Sequence, residues 1–220
     1  MPNHTANRLV ITGSVKLFPK IKKFVDGENR FDCNKIIPIP KELDGTRSPS
    51  LIKTAEEIAE MKKQNEIDKK KWIKEHPGSK YEGFFSGEQA ITQEQYDERI
   101  KKYGFSNWYD WAVQNWGTKW GTYDVGKWKN GKKSIEISFN SAWSPPLPVI
   151  KTLSDKFPSA VFTLEYADEG GGFLGSTTFE DGEVIGGEKL DWNSHAGIDM
   201  LKRLGRYCEE EEGDEEEMVK

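Results

Sequence analysis

The sequence is poor in the residues on which disulfide frameworks and zinc sites depend, with two cysteines, Cys33 and Cys208, and three histidines. Both kinds of site need more such residues, so we expect neither, and no cofactor. The amino-terminal residues lack the basic and apolar regions of a signal peptide. No apolar run approaches the length that spans a bilayer. These absences predict a soluble protein of the reducing cytoplasm with no membrane contact.

Excess charge of one sign is confined to the carboxyl terminus. The formal net charge is −5, yet eight acidic residues lie between Glu209 and Glu217, and the chain before them is close to neutral. A run of like charge predicts a disordered acidic tail over residues 208–220. Residues 1–207 are long enough to bury a core as one domain.

Tryptophan is concentrated in one stretch, Ser106 to Trp143, which contains Trp108, Trp111, Trp116, Trp120, Trp128 and Trp143. Buried aromatic rings contribute large apolar areas, so this stretch is our predicted core nucleus. Alternatively, some rings could stack nucleic-acid bases on an open sheet. We favour the core, because the basic footprint and the aromatic–basic strand motif of such modules are missing.

The first 40 residues predict a β-α-β opening. Asn7–Gly13 is a short β-rich run, and apolar residues at helical spacing predict a helix over Val15–Val25. Pro19 fits such a helix in its first turn. Phe31–Pro40 contains three isoleucines and predicts a second strand that ends at a sheet edge.

Residues 41–105 differ in character and predict a helical insertion. Two capping boxes, beginning at Thr54 and Thr92, predict helices over about residues 54–74 and 93–103. Lys69, Lys70 and Lys71 in the first helix could contact phosphate. A solvated helix face is the favoured interpretation, because Glu66, Asp68 and Glu75 offset their charge.

The remaining chain repeats the β-α-β pattern. Its predicted elements are a helix from Ser106 to Trp116, a strand over Lys133–Asn140, a helix opened by Ser144-Pro-Pro, strands over Ala160–Ala167 and Phe173–Phe179, a hairpin turn at Asp181-Gly182 leading to Val184-Ile185, and a closing helix within 195–207. Two such halves predict an α+β, ferredoxin-like split β-α-β sandwich with a helical insertion and an extra carboxyl-terminal β-hairpin.

Several motifs carry a resemblance to a known family. They include Phe31–Pro40, Asn-Trp-Gly-Thr-Lys-Trp from Asn115 to Trp120, Ala-Trp-Ser-Pro-Pro from Ala142 to Pro146, and the stretch Tyr166–Gly175. The chain resembles the YubB-like family of plasmid and phage proteins, although His4-Thr5 stands where that family has an aromatic residue and a cysteine. The resemblance implies a mobile-element origin in a bacterial host and a ferredoxin-like fold without iron–sulfur chemistry. It implies no known activity, so no functional residue is transferred.

Three groups of residues are candidates for chemistry. Asp168-Glu169 before three glycines could hold a divalent cation, but adjacent acids at a turn are more often solvated. Lys119, between Trp116 and Trp120, could bind an anion or stack on a ring, but such a lysine more often lays its aliphatic stem on an aromatic ring and keeps its ammonium group in water. His195 near Asp191 could be half of an acid/base pair, yet no nucleophile motif accompanies it.

The favoured hypothesis is therefore a non-enzymatic interaction protein that binds a host or mobile-element protein, for example to inhibit a host defence system. Its interaction candidates are Lys119, Trp120, Asp168, Glu169, Lys69, Lys70 and Lys71. One alternative is a binder of single-stranded nucleic acid through the sheet face or the lysines of the insertion. The other is a metal-dependent enzyme centred on Asp168 and Glu169.

Overall fold

The computed structural model describes residues 3–78 and 89–207. Its strands are β1 (His4–Gly13), β2 (Leu51–Ile52), β3 (Ala90–Ile91), β4 (Lys129–Asn130), β5 (Ser134–Ala142), β6 (Ala160–Asp168), β7 (Leu174–Glu180) and β8 (Glu183–Lys189). Its helices are α1 (Phe18–Val25), α2 (Cys33–Ile36), α3 (Ala55–Glu75), α4 (Gln93–Tyr103), α5 (Trp108–Asn115), α6 (Leu147–Lys156) and α7 (His195–Leu204).

Six strands form one sheet in the order β4-β5-β1-β6-β7-β8. β1 is antiparallel to both β5 and β6, so β5 and β6 are parallel to each other and are joined through α6. β4 is antiparallel to β5 and therefore parallel to β1, which α1 follows. The two interleaved β-α-β units confirm the predicted ferredoxin-like α+β fold. The predicted hairpin at Asp181-Gly182 is confirmed as the β7–β8 connection.

The prediction of a second strand over Phe31–Pro40 is wrong, and so is the simple β-α-β opening. Asp32 caps a short helix there, because its side chain accepts the N–H of Asn34 at 2.8 Å. The N–H of Ile37 then donates to the carbonyl of Cys33. The isoleucines are used for burial against the sheet and not for strand pairing. The strand that completes the first unit is β4, which has only two residues.

The core lies between one face of the sheet and the helices α1 and α6. Alternate residues of the central strands fill it, namely Leu9, Ile11, Ile135, Ile137, Phe139, Phe162 and Leu164. Phe31 stacks on Phe139 with ring centroids 4.8 Å apart. Burial also raises the pKa of the Cys33 thiol to about 12, so this cysteine is a poor nucleophile. On the other face, α7 packs Met200 and Leu201 against the ends of β6 and β7.

The tryptophan prediction holds in part. Trp111 and Trp116 are each 7% exposed and belong to the core, as expected. Trp108 and Trp128 are partly buried against it. Trp143 is 41% exposed and does not serve the core.

The predicted insertion, residues 41–105, contains a separate sheet of two short strands. β2 and β3 pair in parallel, and each is followed directly by a helix. Both predicted capping boxes, at Thr54 and Thr92, are confirmed. Neither α3 nor α4 has a fully buried residue. The predicted acidic tail, residues 208–220, lies outside the described residues.

We predict that Phe31→Ala lowers the free energy of unfolding by about 3–5 kcal/mol, because the change leaves a cavity beneath the sheet. Phe31 is fully buried, so the site cannot fill with solvent at no cost. Chemical denaturation followed by tryptophan fluorescence measures the change. Ile67→Ala is the control, since Ile67 is 59% exposed and its loss should cost little. Equal losses for the two variants would contradict the core assignment.

Candidate functional site

The start of β1 and the ends of β5 and β6 lie side by side, at the end of the sheet where these strands begin or stop. Thr5 of β1 pairs with Ser141 of β5 on one side and with Asp168 of β6 on the other. The chain leaves β5 at Trp143, whose N–H donates to the carbonyl of Asn3 at 2.9 Å. Asn3 and the first residues of β1 therefore hold the ends of β5 and β6 close together.

Trp143 adopts an uncommon backbone conformation. Its φ is +72°, in the left-handed region that bulky residues avoid, and its side chain is 41% exposed. Such a conformation costs on the order of 1–3 kcal/mol and tends to occur at functional sites. A half-exposed indole does not recover that cost through core packing. The position of Trp143 is thus unexplained by stability alone.

The ammonium group of Lys119 lies among three aromatic rings, one of which is that of Trp143. The Nζ atom of Lys119 is 4.7 Å from the ring centroid of Trp143, 4.8 Å from that of Trp120 and 5.9 Å from that of Tyr109. The loop that carries Lys119 is anchored to the end of β5, where the Thr118 hydroxyl donates to the Ala142 carbonyl at 2.8 Å. Cation–π attraction holds the ammonium group near the rings, whereas the favoured expectation was that only the aliphatic stem of Lys119 would lie on an aromatic ring.

A second group of contacts adjoins these rings. Tyr123 Oη lies 2.6 Å from His4 Nδ1, and it donates to the Ser141 carbonyl at 3.2 Å. Burial raises the pKa of Tyr123, and the charges of Asp124 and Glu169 raise it further. The Tyr123 hydroxyl therefore stays protonated and acts as a hydrogen-bonding group. We call the surface formed by Tyr109, Lys119, Trp120, Tyr123 and Trp143 the aromatic end.

The two candidate carboxylates lie at the same edge, but both are engaged in local structure. Asp168 is 6% exposed, and its Oδ2 accepts the Gly172 N–H at 3.0 Å. Glu169 Oε1 accepts the His4 N–H at 2.7 Å. Within the described ranges, no three His, Cys, Asp or Glu side chains are grouped as a metal site needs. His195 is an exposed residue in the first turn of α7.

The apolar core gives way to polar side chains beneath the aromatic end. Thr5 and Ser141 are fully buried, and Asn7 is 1% exposed. The Asn7 amide donates to the Thr5 carbonyl and to Ser141 Oγ, both at 2.8 Å. The oxygens Thr5 Oγ1 and Asn7 Oδ1 have no hydrogen-bond partner among the described atoms. Unpaired buried polar atoms cost about 1–3 kcal/mol each, so this row is not optimised for stability.

The sheet face opposite α1 and α6 is charged. Arg8 of β1 contacts Glu136 of β5 and Glu165 of β6, and Arg203 of α7 binds Glu165 at 2.8 Å. Across the described strands β5, β1 and β6, this face presents no Phe, Tyr or Trp side chain. A stacking platform for bases on the open sheet therefore has no aromatic residue to form it.

Of the predicted interaction candidates, Lys119, Trp120, Asp168 and Glu169 are gathered at one edge of the fold. Lys69, Lys70 and Lys71 lie apart from them, exposed on α3 of the insertion. The sequence prediction did not select Tyr109, Tyr123, Trp143 or His4 for this surface. The Ala-Trp-Ser-Pro-Pro motif was a signal for Trp143, because it marks a sharp strand-to-helix turn.

Comparison with known proteins gives the family. A family model described as "Ferredoxin-like domain in Api92-like protein" matches residues 115–220. The uncharacterized protein YubB of Escherichia coli (strain K12) is 34% identical over 108 residues, which cover 46% of this chain and 72% of YubB. The chain belongs to the YubB-like family. The family-model match contains Lys119, Trp120, Trp143, Asp168 and Glu169, whereas the α3 lysines precede it.

A solved structure is also similar. The crystal structure of protein api92 from Yersinia pseudotuberculosis covers 87% of this chain, and this chain covers 99% of that one, with a TM-score of 0.46 and 15% identity. The YubB-like family, to which the chain belongs, has a ferredoxin-like domain. In residues 3–78 and 89–207, no helix has both the length and the apolar character needed to cross a bilayer.

We predict that Trp143→Gly is more stable than Trp143→Ala by roughly 1 kcal/mol, because both remove the indole but only glycine adopts φ near +72° without strain. The free energy of unfolding of each variant measures the difference. The matched pair is Val113→Gly and Val113→Ala within α5, where alanine should be the more stable by about 1 kcal/mol. Equal stability of the two Trp143 variants would show that the turn relaxes without its indole.

The charged sheet face gives a pH dependence. Burial opposes ionisation of Glu136, but hydrogen bonds from Lys129 and Arg8 outweigh it and hold the pKa of Glu136 below its ordinary value of 4.5. Around this pKa the folded protein binds fewer protons than the unfolded chain. The contribution of ionised Glu136 to the free energy of unfolding is therefore complete above pH 4.5, and it is lost as the pH falls through the folded-state pKa. Glu136→Gln should lower stability at pH 7 by about 1–2 kcal/mol and flatten its decline below pH 4.5. The free energy of unfolding, measured against pH for the wild-type protein and for Glu136→Gln, tests this. Equal declines of the two proteins below pH 4.5 would disprove the role of Glu136.

Proposed function

We propose that this YubB-like protein acts by binding a partner protein at the aromatic end, without catalysing a reaction. The observation that carries the proposal is Trp143, which holds a strained φ of +72° while leaving its indole 41% exposed. Strain that is not repaid by core packing suggests a role outside the fold. The same indole forms the outer side of a cluster with Tyr109 and Lys119.

The composition of the aromatic end supports a protein partner. Trp and Tyr dominate the energetic centres of protein interfaces, because they bury large, rigid areas at low entropic cost. The rings of Tyr109 and Trp143 meet edge to face with centroids 6.0 Å apart, and Trp108 contacts Tyr109 in the same way. These contacts fix the rings before any partner arrives. A preorganised aromatic surface loses little conformational freedom on binding.

Two observations favour binding over catalysis. The carboxylates of Asp168 and Glu169 already accept backbone N–H groups that shape the turn and the start of β1. The Cys33 thiol is buried, with a pKa raised to about 12. A reaction at this edge would have to recruit oxygens that the fold uses to hold its own loops.

The finer proposal is that the partner belongs to a bacterial host or to a mobile element, and that binding inhibits a host defence system. Its support is the resemblance to plasmid and phage proteins of the YubB-like family.

A pull-down from bacterial lysate with the tagged full chain tests the proposal. The wild-type protein should retain a stoichiometric protein partner, and Trp120→Ala/Trp143→Ala should reduce its recovery at least tenfold, since truncating two central rings removes the main contacts. Val184→Ala/Ile185→Ala is the matched control, because those residues of β8 are 61% and 54% exposed and lie outside the aromatic end.

Three outcomes would contradict the proposal. The wild-type chain could recover no partner, or the control pair could reduce recovery as much as the tryptophan pair. Nuclease treatment of the lysate could abolish recovery, which would make nucleic acid the bound species. Circular dichroism checks that each variant keeps the wild-type fold.

A further inference from the structure

A strongly basic surface lies at the other end of the sheet. Residues 13–25 and 127–133 contain eight lysines and no acidic residue, although the whole chain has a net charge of −5. We call the surface they form the lysine edge; its members are Lys16, Lys20, Lys22, Lys23, Lys127, Lys129, Lys132 and Lys133. The first four belong to α1 and the turn before it, and the others to β4 and its flanking turns.

The fold joins the two segments into one surface. Lys22 Nζ donates to Asn130 Oδ1 at 2.6 Å and lies 5.5 Å from the ring centroid of Trp128. The N–H of Gly13, at the end of β1, donates to the carbonyl of Lys133 at 3.2 Å. α1 and the β4–β5 turn are therefore neighbours at the end of β1, at the opposite end of the strands from the aromatic end. Each of the two segments, which lie more than 100 residues apart in sequence, contributes four lysines to this surface.

Most of the lysine edge is not neutralised by the protein itself. Lys129 pairs with Glu136 at 3.0 Å, and Lys22 is held by Asn130. The other six, Lys16, Lys20, Lys23, Lys127, Lys132 and Lys133, are exposed and form no ion pair or side-chain hydrogen bond with any described residue. The bordering acids Asp26 and Glu28 follow α1. Six of the eight ammonium groups of the lysine edge therefore have no carboxylate partner among the described residues.

Structural roles account for only a few of these lysines. Basic residues in the last turn of α1 favour its dipole, and Lys22 and Lys23 serve that purpose. Lysine on an edge strand discourages pairing with other chains, and Lys129 on β4 meets that need. Neither role requires Lys16, Lys20, Lys127, Lys132 or Lys133. A cluster of uncompensated lysines is the electrostatic signature of a surface that binds the phosphates of nucleic acid. The expectation that the chain has no basic footprint is therefore wrong for this surface, because the fold brings together lysines from two distant segments.

We propose that the lysine edge binds the phosphate backbone of a nucleic acid without reading its sequence. The site differs from the sheet face and from Lys69–Lys71, where nucleic-acid contact was the alternative expected from the sequence. It is also separate from the aromatic end, so a protein partner and a nucleic acid can be held at opposite ends of one sheet. Lysines approach the backbone as point charges, and specificity for a base sequence is not expected.

Fluorescence anisotropy with a labelled 20-nucleotide single strand and its duplex, titrated with the full chain at several salt concentrations, tests the proposal. Four to six phosphate contacts predict a loss of affinity between 50 and 200 mM salt of about 50- to 300-fold for the single strand and about 150- to 2,000-fold for the duplex. Lys20→Gln/Lys23→Gln/Lys127→Gln/Lys132→Gln should weaken binding at least tenfold at 50 mM salt, and should reduce the slope of log affinity against log salt by about 3.

The insertion supplies a control with an identical change of charge. Lys69→Gln/Lys70→Gln/Lys71→Gln/Lys74→Gln removes four exposed lysines of α3 and should change the affinity less than about threefold, since no phosphate contact is lost. All eight substituted positions are exposed, so both variants should unfold at the same denaturant concentration as the wild-type protein.

Several outcomes would overturn the proposal. One is the absence of binding at 50 mM salt. Another is an equal loss in the two quadruple variants, which would reduce the effect to net charge. A third arm uses vesicles containing phosphatidylserine: if the lysine edge binds these vesicles but neither oligonucleotide, the ligand is an anionic lipid surface and the nucleic-acid assignment is wrong.

Discussion

The pairing of β1 with both β5 and β6 is the constraint on which the rest of the molecule depends. β1 comes from the first 13 residues, and its two partners come from the second half of the chain. Without it, β5 and β6 would be parallel strands with no neighbour between them. Each of the three strands exposes one face to the core, so their registers must agree for Leu9, Ile137 and Leu164 to meet. The family-model match begins at residue 115, so the central strand of the matched sheet lies outside it.

The same pairing explains why the aromatic end exists. Trp143 follows β5 and is fixed by a backbone hydrogen bond to Asn3, the residue before β1. Lys119 reaches this edge because its loop is tied to Ala142. Beside this surface, His4 and Glu169, which are 165 positions apart, are also joined by a hydrogen bond at the start of β1. At the other end of β1, the same sheet brings α1 beside the β4–β5 turn.

Local sequence signals predicted the elements that short-range patterns specify. The alternation of β5, the capping boxes of α3 and α4 and the Asp-Gly turn each have a short-range cause. Phe31–Pro40 was predicted wrongly because β-branched residues favour strands, whereas the Asp32 cap and burial of Phe31 decide the outcome. β4 was not predicted, since two residues carry no period. The left-handed conformation of Trp143 and its contact with Lys119 depend on the turn and on tertiary packing, which no local pattern contains.

The parallel pair β2–β3 has a consequence for the insertion. Leu51 pairs with Ala90, so the chain enters and leaves this arm at adjacent points. The entropy of closing a loop rises only slowly with its length. The connection between β2 and β3 can therefore change in length at little cost to the six-stranded sheet, provided that it stays long enough to cross back between two parallel strands.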